Sequence, residues 1–267
     1  MSNDAGSYDF KDIREREAEL ARLNRQAQIS VELEKKCWKE LGLKQDANVV
    51  DFASGSGLVT LELAKFASLG SVTGVELSKE LLAEANENKS KAGIGNVDFI
   101  NGNIYDLNLE ENKYDFAYSR FLFQHLDDPQ LAINNVIKVL KPGGMFCIVD
   151  VDDAWLSLSP LEEEFNKFTQ LAAKGQNKNG GDRFVGHKLG NMMQEAGFKE
   201  VDTQVEVVTS KQIGLNNFLD ITTGFKIKQI QSECLEEGTD LLTKIYTATS
   251  LPYAWGGVGV FVVAGIK

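Results

Sequence analysis

A glycine-rich segment at residues 51–57 carries residue types that bind a charged ligand. Gly55 and Gly57 directly follow a predicted strand and precede a predicted helix, so the backbone can approach a ligand closely at this turn. Asp51 lies within that strand, where a carboxylate attracts an ammonium or sulfonium group and repels a pyrophosphate. Glu76 follows the next strand, where an acid can accept hydrogen bonds from ribose hydroxyls. The pattern therefore predicts a site for a ligand that combines a ribose with a positive charge.

Short apolar strands alternate with helices through the region that contains this turn. The predicted strands comprise residues 49–52, 71–75, 97–100, 114–118 and 145–151, and the predicted helices comprise residues 58–66, 78–91 and 128–140. Strands that alternate with helices at this spacing indicate right-handed βαβ units. This region is therefore predicted to form a mostly parallel, Rossmann-like α/β sheet with helices on both faces.

The flanking regions follow a different pattern. We predict an N-terminal helix at residues 10–41, helices at 161–173 and 187–196 with a Gly/Asn-rich loop at 174–182 between them, a strand at 201–208, helices within 212–248 and a last strand at 257–266. The last two strands are thus separated by a long helical insertion. Insertions at the edge of an α/β core commonly carry substrate contacts, so we expect this one to form a cap.

The overall composition excludes several classes of partner. The chain has 267 residues and a formal net charge of -11, without a dense run of Lys and Arg. Phosphate backbones and anionic membrane surfaces are repelled by such a surface, so we expect neither nucleic acid nor membrane as a partner. The three cysteines are far apart, which predicts neither disulfide bonds nor a metal site and favours the cytoplasm. The composition leaves the oligomeric state open.

Five motifs in the α/β region resemble, in order and spacing, those of class I methyltransferases that use S-adenosylmethionine. The resembling segments are Val49-Val-Asp-Phe-Ala-Ser-Gly-Ser-Gly57, Gly74-Val-Glu-Leu-Ser78, Asn101-Gly-Asn-Ile104, Tyr114-Asp-Phe-Ala-Tyr-Ser-Arg120 with Gln124-His-Leu126, and Leu140-Lys-Pro-Gly-Gly144. The likeness is nearest to the small-molecule branch typified by ubiquinone and menaquinone biosynthesis methyltransferases. It implies a seven-stranded sheet whose last strand is antiparallel, S-adenosylmethionine as cofactor, S-adenosylhomocysteine as product, and a small-molecule methyl acceptor.

The resemblance also implies which residues bind the cofactor. These residues are Asp51, Ala53, Ser54, Gly55 and Gly57 around the methionine part and the turn, Glu76 at the ribose, Leu77, Asn103 and Ile104 at the adenine, and Ser119 and Arg120 near the cofactor amino group. Two positions depart from the family pattern, since Ala53 replaces a usual Gly and Asn103 replaces a usual Asp. An amide still accepts a hydrogen bond from the adenine amino group, so we expect cofactor binding despite both changes.

The chemistry of methyl transfer demands alignment more than acid–base catalysis. Displacement at a sulfonium carbon disperses charge, so the protein mainly supplies orientation and a water-poor pocket. The resemblance accordingly implies no universal catalytic residue. His125, beyond strand four on the cofactor side, is the candidate base toward an acceptor hydroxyl or amine. The alternative is a capping or core histidine, which the resemblance favours because a histidine recurs there in enzymes with unlike substrates.

Candidate acceptor-binding residues lie outside the cofactor motifs. Asp152, Asp153 and Trp155 follow the predicted strand five at the ligand edge of the sheet, where they could orient a cationic or hydroxylated acceptor. The alternative for them is a solvated acidic loop. Arg183 could meet an acidic substrate or form a surface salt bridge. Tyr8 belongs to an N-terminal segment that could cover the cofactor as a lid or simply pack against the core.

These predictions divide the chain into four parts. They are a helical lid (1–45), a cofactor-binding core (46–151), a substrate-side insertion (152–186) and the C-terminal part of the core (187–267), which contains a helical cap (210–255).

Two other functions stay open from the sequence. An NAD-dependent oxidoreductase can use the same type of sheet, but Thr60 replaces the third glycine of the dinucleotide fingerprint and Asp51 would repel the pyrophosphate. A non-catalytic cofactor-binding module is compatible with the changes at Ala53 and Asn103.

Overall fold

The computed structural model describes residues 13–267, which form a seven-stranded sheet with helices around it. The strands are β1 (Asn48–Phe52), β2 (Ser71–Glu76), β3 (Val97–Asn101), β4 (Tyr114–Arg120), β5 (Leu140–Ser159), β6 (Lys199–Thr209) and β7 (Trp255–Ile266). Their order in the sheet is β3-β2-β1-β4-β5-β7-β6. Strands β1 to β5 pair in parallel, whereas β7 is antiparallel to both β5 and β6. The predicted Rossmann-like sheet with an antiparallel last strand is confirmed.

Helices cover both faces of the sheet. In residues 13–267 the α-helices are α1 (Ile13–Glu40), α2 (Leu58–Phe66), α3 (Lys79–Ala92), α4 (Pro129–Val139), α5 (Glu162–Lys178), α6 (Leu189–Glu195), α7 (Ser210–Ile213), α8 (Leu215–Thr222) and α9 (Leu235–Thr247). One apolar core joins α1 and α2 to the sheet through Trp38 and Leu63. A second core joins α4 and α6 to the opposite face through Ile133 and Leu189. The apolar side chains of these strands and helices therefore form one core on each face of the sheet.

A third apolar cluster forms the cap at one end of the sheet. Phe165 and Phe168 of α5 and Phe218 of α8 are fully buried there against the last residues of β5 and the first residues of β7. A 3₁₀-helix at residues 224–229 packs against α5 so closely that a Cβ on Gly175 would lie 1.7 Å from the carbonyl oxygen of Gln229. This close contact holds the 3₁₀-helix beside the carboxyl ends of the central strands.

The long fifth strand differs from the sequence prediction. Strand β5 extends to Ser159 instead of ending at Val151, because β7 continues to pair with it from Leu156 onward after an irregular stretch. Asp152, Asp153 and Trp155 were predicted to follow the strand, and that placement is wrong: they lie within it, at the irregular stretch. The predicted loop at 174–182 is likewise shorter, since α5 continues to Lys178.

Between residues 13 and 267, no helix combines the length and the apolar character that crossing a membrane requires.

Candidate functional site

The turn between β1 and α2 has the backbone geometry of a ligand cradle. Ala53, Gly55 and Gly57 all have left-handed backbone conformations, with φ values of 58°, 58° and 78°. Glycine adopts this conformation at little cost, whereas Ala53 does so with strain of roughly 1 kcal/mol. Ser54 N donates to the carbonyl oxygen of Val75 at 3.1 Å, which ties the turn to β2. A Cβ on Gly55 would meet no atom within 4 Å, so the turn leaves open space at this position.

Glu76 holds this turn from the neighbouring strand. Its carboxylate accepts a hydrogen bond from Gly55 N at 2.8 Å and another from Ser78 N at 2.9 Å. Burial raises the pKa of Glu76, while the two backbone donors act to lower it. Glu76 is 7% exposed, and its carboxylate has lone pairs beyond those used by these two donors.

Asp51 is buried in β1 directly below the turn. Thr60 of α2 donates its hydroxyl proton to Asp51 Oδ2 at 2.6 Å. Burial raises the pKa of Asp51 to about 7, against the opposing effects of the Thr60 hydrogen bond and the Arg120 charge. In the sequence, Thr60 was notable only because it replaces the third glycine of the dinucleotide fingerprint. In the structure its hydrogen bond orients the carboxyl group of Asp51 and acts to lower its pKa, which favours ionisation near neutral pH.

Replacing Thr60 by Val is expected to raise the pKa of Asp51 by about one unit, because the lost hydrogen bond favours the ionised form. The folded-state pKa of Asp51 already lies above its ordinary value of 3.8, so the folded protein retains a proton that the unfolded chain releases. The contribution of Asp51 to stability therefore falls as pH rises from about 4 toward the folded pKa, and Thr60→Val extends this fall to higher pH. Carboxyl ¹³C NMR titration and urea unfolding across this range measure both effects.

A matched control is Thr169→Val, which removes a hydroxyl that donates to the carbonyl of Asn166 in α5. The Asp51 titration should be unchanged in this control. An unchanged Asp51 titration in Thr60→Val itself would contradict the role assigned to the hydroxyl.

The end of β4 adds polar groups to the same edge. Ser119 pairs in register with Phe52 of β1 and is fully buried. Arg120 Nη1 lies 3.4 Å from Oε1 of Glu34, a buried residue of α1. The next residue, Phe121, has a left-handed φ of 53°, a conformation that a bulky side chain adopts only under constraint. The sequence analysis did not identify Glu34 or Phe121 as part of this edge.

The predicted adenine-binding residues also lie along this edge. Leu77 follows β2 and is 47% exposed, which is high for a large aliphatic side chain. Asn103 follows β3, and its side-chain oxygen accepts a hydrogen bond from Tyr105 N at 3.0 Å. Ile104 is buried in the core that includes Val75 and Ile100. An exposed apolar side chain beside a polar turn is the arrangement that a flat aromatic ligand would cover.

Helix α1 crosses the same edge of the sheet, where the turn after β1 and the end of β4 lie. Asn24 Oδ1 accepts a hydrogen bond from Ser56 Oγ at 3.0 Å, so α1 contacts the turn itself. About three helical turns further along α1, Glu34 pairs with Arg120 at the end of β4. These contacts support the prediction that the N-terminal helix covers the ligand edge. Tyr8 lies outside the described residues.

His125 lies in a 3₁₀-turn after β4 (123–125). Burial, together with the nearby charges of Arg183 and Arg22, lowers the pKa of His125 to about 3. An imidazole with so low a pKa is neutral near pH 7 and is a weak proton acceptor. The role of His125 as a base stays a prediction.

Asp153 is the centre of a buried ion cluster. Its carboxylate accepts from Arg183 Nε at 3.1 Å, from Arg183 Nη2 at 2.9 Å and from Lys226 Nζ at 2.7 Å. Burial acts to raise the pKa of Asp153, but the two cations outweigh it and hold the pKa below its ordinary value. Arg183 is 3% exposed, so it forms a buried ion pair and not the surface salt bridge considered above. The sequence analysis missed Lys226.

Asp152 and Trp155 lie apart from this cluster. Asp152 Oδ2 is 2.6 Å from His187 Nδ1, and the same oxygen accepts from His187 N. Trp155 is 52% exposed and packs edge-on against Phe261. The structure therefore brings Asp153 and Arg183 together, whereas Asp152 pairs with His187 and Trp155 packs on Phe261.

The residues at the turn fit a nucleoside-type cofactor with a charged tail. Ser54 Oγ and Ser119 Oγ are buried and have no hydrogen-bond partner within residues 13–267. The open space at Gly55, the two carboxylates below and beside it, and the exposed Leu77 surround the same edge. Across the described part of the chain, His, Cys, Asp and Glu do not group into a set that could hold a metal ion.

Comparison with known proteins identifies the family. The methyltransferase domain family model matches residues 43–197, more than half of the chain. The chain belongs to the methyltransferase domain family. The match begins just before β1 and ends after α6, so it contains the turn, Glu76 and the end of β4. The methyltransferase family predicted from the sequence motifs is thereby confirmed.

Curated relatives match the same region at moderate identity. An uncharacterised methyltransferase, C1B3.06c of Schizosaccharomyces pombe, is 32% identical over 138 residues, which are 49% of this chain and 50% of the relative. A demethylmenaquinone methyltransferase of Staphylococcus aureus is 30% identical over 123 residues, 46% of this chain and 50% of the relative. The chain thus spans about half the length of the curated relatives it matches.

Solved structures share the fold at lower identity. An S-adenosylmethionine-dependent methyltransferase from Methanosarcina mazei superposes with a TM-score of 0.57 at 18% identity, covering 84% of this chain and 94% of that one. The likeness supports the sheet order and the surrounding helices described above.

Proposed function

We propose that this chain transfers a methyl group from S-adenosylmethionine to a small-molecule acceptor. The observation that carries the proposal is the open turn at Gly55, with the Glu76 carboxylate hydrogen-bonded to it and the Asp51 carboxyl group buried beneath it. Within the methyltransferase domain family this pairing suits a cofactor that has both a ribose and a cationic amino acid tail. S-adenosylmethionine, when bound, supplies an activated methyl group on a sulfonium.

Each residue of the edge has a defined task in this proposal. Glu76 accepts hydrogen bonds from the ribose hydroxyls, and Leu77 packs on the adenine beside Ile104. The hydroxyls of Ser54 and Ser119 are available as donors or acceptors to the polar tail. Ionised Asp51 favours the positive charge above it, and this effect is strong because the residue is buried.

Helix α1 contributes alignment and exclusion of water. Its contacts to Ser56 in the turn after β1 and to Arg120 at the end of β4 place it over this edge. Methyl transfer gains most from orientation of the two reactants and from a water-poor site, and neither requires a catalytic acid or base. The chain therefore acts through positioning, with His125 retained as a candidate base for acceptors that must lose a proton.

The acceptor is proposed to be a small molecule. The net charge of -11 disfavours a nucleic-acid substrate. The name of the Staphylococcus aureus relative denotes a small quinone precursor as its substrate, and this supports the same class of acceptor here.

The proposal is tested by isothermal titration of the protein with S-adenosylhomocysteine, S-adenosylmethionine and NAD. We expect the two sulfur cofactors to bind with one-to-one stoichiometry and NAD to give no heat. Incubation with methyl-labelled S-adenosylmethionine and a panel of small acceptors, read by mass spectrometry, then tests transfer. Binding of NAD alone would overturn the proposal, and tight cofactor binding without transfer to any acceptor would favour a non-catalytic module.

A further inference from the structure

Two buried cations share a single carboxylate beside the cofactor edge. Arg183 and Lys226 both donate to Asp153, and within residues 13–267 Lys226 Nζ makes no other hydrogen bond. Lys226 is 0% exposed and Arg183 is 3% exposed. Asp150, another buried carboxyl group on which the charge of Arg183 acts, accepts backbone hydrogens from Gln124 and Val151 instead of pairing directly with either cation. One positive charge of the cluster is therefore not neutralised by direct contact.

The same cations have hydrogen-bond donors to spare. An ammonium group has three donor hydrogens and a guanidinium has five. Lys226 uses one of them, toward Asp153, and Arg183 uses three, toward Asp153 and the side-chain oxygen of Gln124. A buried charge with unused donors is costly, so an additional acceptor group at this point would stabilise the cluster.

A continuous set of contacts joins the cluster to the cofactor turn. The Phe225 ring contacts two guanidinium groups, with Arg183 Cζ 5.7 Å and Arg22 Cζ 4.4 Å from its centre. Arg22 is on the same helix as Asn24, whose side chain accepts from Ser56 in the turn. The cluster consequently lies on the side of the sheet where a methyl acceptor would meet the cofactor.

We propose that the methyl acceptor carries a carboxylate, and that Lys226 and Arg183 bind it. This inference rests on the proposed function. With Lys226 protonated, the cluster carries one positive charge more than Asp153 neutralises, which matches a monoanion, and the planar fork of Arg183 together with the Lys226 ammonium suits the two oxygens of a carboxylate. Because both cations are buried, the acceptor reaches them when Phe225 moves aside, and Phe225 then packs against the body of the acceptor. The pKa of Lys226, lowered to about 7 by burial and by Arg183, would rise once the carboxylate is bound.

The test compares acids with their amides on the wild-type protein and on Lys226→Met. The probes are hydroxybenzoic and short aliphatic hydroxy acids, each paired with its primary amide, added in the presence of S-adenosylhomocysteine and followed by thermal shift and titration calorimetry. We expect a subset of the acids to bind wild type and their amides to bind at least tenfold more weakly. Lys226→Met should lose at least tenfold in affinity for those acids. Met has a similar length, and Asp153 keeps its two hydrogen bonds from Arg183, so the variant should fold.

The control variant is Lys228→Met, which removes an exposed cation two residues further along the same 3₁₀-helix. It should bind the acids as wild type does. Equal binding of acids and amides, unchanged acid affinity in Lys226→Met, or the absence of any acid that binds would each overturn the carboxylate proposal. S-adenosylhomocysteine affinity is measured in every sample, so loss of cofactor binding in wild type would instead count against the proposed function.

Discussion

Glu76→Gln is expected to weaken S-adenosylhomocysteine binding by roughly 10- to 100-fold, because charge-assisted hydrogen bonds to ribose hydroxyls contribute about 1.5–3 kcal/mol. The carboxylate also accepts from Gly55 N and Ser78 N, and an amide can accept with only one of its two terminal atoms. One backbone donor then faces an NH₂ group, which costs about 1–3 kcal/mol of folding free energy. Calorimetric titration measures the affinity, and urea unfolding measures the stability.

The matched control for this charge change is Glu87→Gln. Glu87 is an exposed residue of α3 that pairs with Lys91, so its replacement should leave both cofactor affinity and stability close to wild type. If Glu76→Gln bound the cofactor as tightly as wild type, the carboxylate would not be a ribose ligand. A stability loss without an affinity loss would restrict Glu76 to holding the turn.

The alternating region of the chain could be predicted because its signals are local. Strands such as Val49 to Phe52 are short apolar runs that both faces of a parallel sheet bury, and Gly55 and Gly57 mark the turn that follows. Helices α3 and α4 begin with local caps, because Ser78 accepts from Leu81 N and Asp128 accepts from Leu131 N. Such features need no knowledge of distant residues.

The continuation of β5 to Ser159 could not be predicted in the same way. Asp152 and Asp153 are two acids in succession, which is unusual inside a strand, and β5 continues beyond them because Leu156 pairs with Val258, about a hundred residues later in the chain. Asp153 likewise looked like part of a solvated loop. Its partner Lys226 is 73 residues away and lies in a short stretch where a lysine is ordinarily exposed.

The role of Thr60 could not be predicted from the sequence because it depends on how a helix packs on the sheet. From the sequence, Thr60 could be recognised only as a residue in place of a glycine, which disfavoured a dinucleotide. Its hydrogen bond to Asp51 depends on how α2 packs over β1, which brings residues nine positions apart to 2.6 Å. The pairing of Glu34 with Arg120 could not be predicted for the same reason, because it depends on the way α1 crosses the sheet.

Gly57→Ala is expected to destabilise the fold by about 2–5 kcal/mol. The residue has a φ of 78°, which costs an L-residue about 1–2 kcal/mol. Its new Cβ would also lie 2.6 Å from Phe99 Cζ and 3.0 Å from Ala85 Cβ, and overpacking of this kind costs about 1–3 kcal/mol. Urea unfolding monitored by tryptophan fluorescence measures the change.

Gly55→Ala separates this steric effect from cofactor binding, because the two glycines share a left-handed conformation but differ in their surroundings. No atom lies within 4 Å of a Cβ at Gly55, so this variant should lose only about 1–2 kcal/mol of stability, which is the backbone strain alone. Its methyl group would instead occupy the space assigned to the cofactor and should weaken S-adenosylhomocysteine binding by about tenfold or more. The reverse pattern, with Gly55→Ala unfolding the chain and leaving affinity intact, would place the cofactor elsewhere. The open position in the turn thus distinguishes a glycine kept for the ligand from one kept for the packing of α3 and β3.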